Sequence, residues 1–233
     1  MKIKVCGLRD AGNISQVAAL GVDYIGMVFY PKSPRYVSLV PVNAGIVPDK
    51  APDSIAAGTA VMQPQRVGVF VDEMPQNIIT RVVLFSLDVI QLHGHETPTM
   101  IRNLRATLAP DIRPGIQLWK AVSISTEADF DACRDYEDCV DAFLFDTKCD
   151  TAGGSGRSFD WSLLAAYRGT KPFMLSGGIG PDDAGRIKAL SAGSGLPAAT
   201  SDLFMGIDLN SRFETAPAVK DVEALKHFLR LLH

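Results

Sequence analysis

The sequence predicts an α/β fold, a (β/α)8 TIM barrel formed by residues 1–233 as a single domain. Three observations lead there. Eight short apolar runs rich in β-branched residues recur at intervals of roughly 25 to 35 residues, the size of one βα unit. Each run is nearly continuous in apolar character rather than alternating, as strands covered on both faces are. Longer amphipathic stretches separate them with no long linker, which favours a closed barrel over a doubly wound sheet.

The expected strands are Lys2–Cys6, Tyr24–Phe29, Arg66–Val71, Val89–Leu92, Ile116–Ala121, Ala142–Phe145, Pro172–Leu175 and Leu203–Ile207. Between the first two, a helix over Asp10–Leu20 stops at Gly21, a residue suited to the left-handed end of a helix. Residues 40–62 hold Pro41, Pro48, Pro52, Gly45 and Gly58, so a broken or short helix is expected there. Thr97-Pro98 opens a helix to Leu108, with Thr97 as cap and proline at the first position. Ser158–Tyr167, Pro181–Ala192 (before Gly193) and Pro217–Leu232 are the remaining helices. Residues 193–201 read as a surface loop.

In such barrels the chemistry sits at the C-terminal ends of the strands. There stand Cys6-Gly7, the stiff loop Tyr30–Tyr36, Gln91-Leu92-His93-Gly94, Trp119-Lys120, Asp146-Thr147, Ser176-Gly177-Gly178 and Asp208-Leu209-Asn210-Ser211. Each has a bland reading. A lone buried cysteine is usually inert. A strand-ending Asp146 serves often as a helix cap, although the next expected helix begins well beyond it. His93 fits a satisfied buried histidine, and Lys120 a charged group at the rim. The anion signal is stronger. Gly177-Gly178 ends strand seven, where barrels bind phosphate with their last two loops. Glycines let backbone N–H groups approach an anion, and Asn210 and Ser211 add side-chain donors.

The whole-chain numbers exclude several classes. With 47% hydrophobic and 21% charged residues the chain is ordinary globular material. A net charge of −3 offers no basic field for nucleic acid. No uncharged run approaches the roughly 18 residues of a membrane helix. Cys6, Cys133, Cys139 and Cys149 form no C-x-x-C pair and no metal-ligand spacing with histidine. The N-terminus lacks a signal-peptide core, so a cytoplasmic setting with free thiols is expected.

The motifs resemble the phosphoribosylanthranilate isomerase family. The likeness runs through Lys4-Val5-Cys6-Gly7, Phe29–Val37, Val67–Val71, Gln91–Gly94, Asp146-Thr147, Gly153–Gly156, Phe159-Asp160-Trp161, Ser176–Ile179 and Gly206-Ile207-Asp208. The nine-residue run from Phe29 and the order of the motifs are its most specific parts. The resemblance implies an Amadori rearrangement of N-(5-phosphoribosyl)anthranilate in tryptophan biosynthesis. It implies Cys6 as general base and Asp146 as general acid, with Arg35 meeting the anthranilate carboxylate. Gly177 and Gly178, with the loop after strand eight, take the phosphate, and His93 and Asp208 line the substrate.

The implied chemistry suits these residue types. Ring opening needs a proton on the furanose oxygen, and the resulting Schiff base acidifies the neighbouring C–H for a thiolate to remove. The imine nitrogen is the electron sink, so no metal or organic cofactor is expected. The partner is a small phosphosugar-anthranilate, and the chain is expected as a monomer or homodimer. Loop 153–157 has the glycines of a closing lid.

Two departures stand out. Where the family commonly has Asp-Val-Ser-Ser-Gly-Val-Glu, this chain has Asp208-Leu209-Asn210-Ser211-Arg212-Phe213-Glu214. Arg212 is either strained, if glycine's positive φ is needed, or a further phosphate contact. Ala218 replaces a usual glycine. The rivals are a related phosphate-binding barrel enzyme with another sugar phosphate and a non-catalytic barrel sensing one. A sensor has no need of Cys6 and Asp146 together. An indole-glycerol-phosphate synthase needs a lysine–glutamate pair of which only Lys120 is in view. His93, His95, His227 and His233 do not supply the metal set of a ribulose-phosphate epimerase.

Overall fold

The computed structural model describes residues 1–38, 63–146 and 161–232. Among them eight parallel strands close into a barrel in sequence order. They are β1 (Lys2–Val5), β2 (Tyr24–Val28), β3 (Gln65–Phe70), β4 (Val89–Leu92), β5 (Gln117–Ser123), β6 (Ala142–Asp146), β7 (Phe173–Ser176) and β8 (Phe204–Leu209). All eight expected strands are present, with ends displaced by at most two residues. The β1–β8 seam closes the barrel and sets Lys4 opposite Asp208.

The continuous apolar pattern has a simple cause. Outward side chains such as Val5, Met27, Phe70, Phe143 and Leu175 pack beneath the surrounding elements. Inward ones, Tyr24, Val67, Val89, Trp119, Ala142 and Met174, fill the barrel floor. Tyr24 meets Trp119 edge-on at a 5.0 Å ring separation. Above this floor the interior turns polar, with Lys4, Gln91 and Asp208 buried. Cys6, Val28 and Val69 form a small cluster at the C-terminal end. Above the floor the interior is therefore mixed, buried polar side chains lying beside a small apolar cluster at the end where the chemistry was expected.

Six α-helices are described. They are α1 (Ala11–Ala18), α2 (Pro75–Leu84), α3 (Pro98–Leu108), α4 (Ala184–Ser191), α5 (Ala198–Ser201) and α6 (Val222–Leu232). Asp10 caps α1 by accepting the Asn13 N–H at 2.8 Å, and Gly21 follows with φ +78°. Thr97 caps α3 as anticipated, accepting the Met100 N–H at 3.2 Å. Pro181–Asp183 forms a 3-10 turn leading into α4.

Three expectations need correction, and two elements were not expected. The last helix does not begin at Pro217, because residues 214–220 form a hairpin, β9 (Glu214–Ala216) with β10 (Val219–Lys220). Ala218 turns it with φ +68°, and the true start signal of α6 is Asp221, whose carboxylate accepts the Ala224 N–H. The 193–201 segment is not wholly loop, since it ends in α5. Helix α2 and a 3-10 stretch over Glu127–Tyr136 were not foreseen, although Pro75 and the Thr126–Asp129 capping box mark their starts. Finally, Lys120 is not a rim charge. It is buried and donates to the Gly94 carbonyl at 2.7 Å and to Glu96 at 3.3 Å. Glu96 also accepts the Asp72 and Gly94 N–H groups, so this pair ties the loops after β3 and β4 together, directly beyond His93.

Of the helix expected over Ser158–Tyr167, the described part is a 3-10 turn at Trp161–Ala166. The broken helix at 40–62, loop 153–157, Thr147 and Cys149 lie outside the described residues.

Candidate active site

A cleft of about 390 Å³ opens at the C-terminal end of the barrel. Every expected site residue borders it: Cys6, Arg35, His93, Asp146, Gly177, Gly178, Asp208, Asn210 and Ser211. They arrive there on the ends of β1, β4, β6, β7 and β8 and on the loop after β2. Residues up to 205 positions apart in the chain, Cys6 and Ser211, thus face one volume only because the barrel closes.

Cys6 is 4% exposed and unpaired. Burial pushes its thiol above the ordinary cysteine value, while the charge of Lys4 pulls it down and falls short of offsetting that. Lys4 lies two residues earlier, on the same inward face of β1. It is fully buried and bonds Asp208 at 2.8 Å. Burial works against its charge, but Asp208 and Cys6 outweigh that and raise its pKa. The other carboxylate oxygen of Asp208, Oδ1, is buried with no hydrogen-bond partner among the described residues. An acceptor in that state, bordering a cleft, is suited to a ligand hydroxyl.

Asp146 ends β6 with 22% of its side chain exposed, and its carboxylate meets His93 Nε2 at 3.3 Å. The Gln91 amide lies 3.1 Å from His93 Nδ1. With that amide donating to Nδ1, the ring proton sits on Nε2 and is donated to Asp146. His93 therefore borders the cleft and touches the Asp146 carboxylate at the same time.

Arg35 reaches the cleft from the loop after β2, across Gly7. Gly7 has φ +77°, and a Cβ there would meet Arg35 Cδ at 2.5 Å and Asn210 Oδ1 at 2.6 Å. Only glycine fits beneath the arginine. The guanidinium is forked onto Glu214, Nε at 2.8 Å and Nη2 at 2.6 Å. Glu214 is held in turn by buried Lys220 at 2.7 Å. Burial draws the Lys220 pKa down, with Glu214 opposing.

Gly177 and Gly178 have φ +93° and +68°, conformations that side chains resist. Arg212 has no positive φ, so the strain envisaged for it does not arise. It borders the cleft beside Gly180, where a Cβ would lie 3.2 Å from its Nε. Asn210 adopts φ −142°, ψ −107° and borders the cleft, its amide oxygen accepting a bond from Lys220 at 2.8 Å. A Cβ on Gly178 would meet nothing within 4 Å. Gly178→Ala therefore folds at a backbone cost of about 1–2 kcal/mol. We expect it to raise KM about tenfold, with kcat changed less than about threefold, in steady-state assays.

Lys4, Glu214 and Lys220 were missed by sequence reasoning. Lys4 carried a signal, a charge at period two from Cys6 in an apolar strand. Glu214 and Lys220 lay inside segments read as loop and helix.

Comparison with known proteins places this architecture. Residues 3–230 match the family model described as N-(5'-phosphoribosyl)anthranilate isomerase. The enzyme of that name from Parabacteroides distasonis is 41% identical, the alignment covering 100% of this chain and 94% of the relative. The crystal structure of phosphoribosyl anthranilate isomerase from Thermotoga maritima is 30% identical, with a TM-score of 0.75 over 100% of this chain and 98% of that one. A further structure of such an isomerase, in complex with reduced 1-(o-carboxyphenylamino)-1-deoxyribulose 5-phosphate, has 26% identity and a TM-score of 0.70 over 100% of this chain and 98% of that one.

Proposed function

The chain belongs to the N-(5'-phosphoribosyl)anthranilate isomerase family, and on that premise we propose that Cys6 and Asp146 are the base and acid of its reaction. The reaction is the Amadori rearrangement of N-(5'-phosphoribosyl)anthranilate to 1-(2-carboxyphenylamino)-1-deoxyribulose 5-phosphate, a step of tryptophan biosynthesis. The observation that carries the assignment is the shared cleft: one thiol, one carboxyl and a left-handed glycine pair at the same barrel end.

Asp146 protonates the ring oxygen as the C1–O bond breaks, and the nitrogen lone pair forms the C1=N bond. The cationic Schiff base acidifies C2–H. Cys6 takes that proton, the C–H electrons become C1=C2, and the nitrogen is neutralised. The enaminol then ketonises to product. Free Cys6 has its pKa raised by burial, so the arriving positive charge favours the thiolate at the moment it is needed. Asp208 Oδ1 accepts a ribose hydroxyl, and Arg35 meets the aryl carboxylate. Gly177, Gly178, Asn210 and Ser211 hold the phosphate, with Arg212 beside them.

These roles need no metal or organic cofactor, because the imine nitrogen accepts the electrons. All the residues named come from one chain, so a monomer or a homodimer serves equally. A cytoplasmic setting fits the free thiols Cys6, Cys133 and Cys139. Among the described residues no helix is long and apolar enough to cross a membrane. The direct test mixes purified protein with N-(5'-phosphoribosyl)anthranilate and follows loss of its anthranilate fluorescence. First-order decay proportional to enzyme is expected; a rate equal to the blank excludes the function.

A further inference from the structure

The arrangement around Arg35 poses an electrostatic problem. Its fork is already committed to a carboxylate, Glu214, through Nε at 2.8 Å and Nη2 at 2.6 Å. A neutral Arg–Glu pair offers little to the carboxylate of a second anion. Lys220 changes the sum. Its ammonium lies 2.7 Å from the Oε1 atom of Glu214 that also takes the Arg35 Nε bond. The Lys220 side chain is 0% exposed and that of Glu214 6%. Two cations on one buried carboxylate leave a net charge of about +1. Of the three residues only Arg35 borders the cleft. Such a buried triad is costly to desolvate and is poor evidence of a purely stabilising role.

We infer that Glu214 and Lys220 are positioning residues for recognition of the substrate's aryl carboxylate: Glu214 fixes the guanidinium so that its Nη1 side remains for substrate, and Lys220 neutralises Glu214 so that the charge of Arg35 remains available. The inference rests on the proposed role of Arg35. The same lysine also bonds Asn210 Oδ1 at 2.8 Å, so the β9–β10 hairpin braces the carboxylate side and the start of the anion loop with one ammonium. Glycine at position 7 is what lets Arg35 pass over the end of β1 to reach this partner.

The test compares affinities for two stable ligands, reduced 1-(o-carboxyphenylamino)-1-deoxyribulose 5-phosphate and its analogue with an unsubstituted phenyl ring. Their ratio is read by calorimetry within one preparation, so general loss of folded protein cancels. The unaltered chain is expected to prefer the carboxylated ligand by about tenfold or more. Lys220→Met is expected to abolish most of that preference, any loss through its Asn210 contact falling equally on both phosphate-bearing ligands and leaving the ratio untouched. Glu214→Gln combined with Lys220→Met removes one charge of each sign and is expected to restore the preference, which a merely structural role would not do. If the methionine variant is insoluble, Lys220→Gln replaces it in both arms. An unchanged ratio in the lysine variant, equal weakening of both ligands, or no recovery in the double variant overturns the inference. Arg35→Met separates the levels. If it keeps the preference, the Arg35 assignment fails and takes this inference with it; if it loses the preference while Lys220→Met keeps it, only this inference fails.

Discussion

Cys6→Ala is expected to lower kcat by about 10²–10⁴ while KM changes less than about threefold. The anchors proposed for substrate lie elsewhere, on Arg35, Asp208 and the loops after β7 and β8, so removing the thiol leaves binding intact. Cys6→Ser is expected to fail to the same degree. A hydroxyl is close in size but far less acidic, and the site's net effect on the group at position 6 is already to hold its proton. That second variant separates a missing base from a missing filler between Val28 and Val69. The pH dependence has a definite sign. Burial raises the thiol pKa in the free protein, and the deprotonated form is the active one. The kcat/KM value should therefore climb as pH rises from neutral toward the raised pKa, and this limb should vanish in Cys6→Ala. Steady-state fluorescence assays from about pH 6 to 9 check both points. A serine variant within tenfold of the unaltered rate removes Cys6 as the base.

The barrel was legible because its signals are local. A strand buried on both faces writes a continuous apolar run, and all eight runs became strands. Helix boundaries were legible where a cap was present, as at Asp10 and Thr97. They failed where a tertiary arrangement overrode an apparent start. Pro217 looks like a first helical residue, yet residues 214–220 form a hairpin in which Lys220 pairs with Glu214 across the strands and bonds its carboxylate. Ala218 bears the left-handed turn there in place of the usual glycine. The candidate site was legible as residue types at strand ends. Its couplings were not, because they depend on register and depth. That Lys4 would pair with Asp208 follows from the β1–β8 seam, and that Lys120 would turn away from the cleft follows from strand parity. Substrate identity had no physical signature short of the family resemblance.

The acid should be as demanding as the base. Asp146→Asn preserves the shape of the side chain and an oxygen for the His93 Nε2–H, now 3.3 Å from the carboxylate. It cannot deliver a proton to the ring oxygen, and kcat is expected to fall by about 10²–10⁴ with KM nearly unchanged. His93→Gln is expected to cost less, because it removes only the group that orients the carboxyl through Gln91. The double variant Cys6→Ala with Asp146→Asn distinguishes a serial mechanism from a concerted one. In the serial scheme ring opening and C2 deprotonation are separate barriers, so the slower step sets the rate. The double variant should then be about as slow as the worse single variant rather than slower by the product of both losses. Stopped-flow and long-time fluorescence measurements on all three proteins read this directly. A double-variant loss equal to the product would place both groups at one transition state and remove the two-step assignment. Near-normal turnover in Asp146→Asn would remove Asp146 as the acid and leave His93 as the nearest remaining donor at the end of β4.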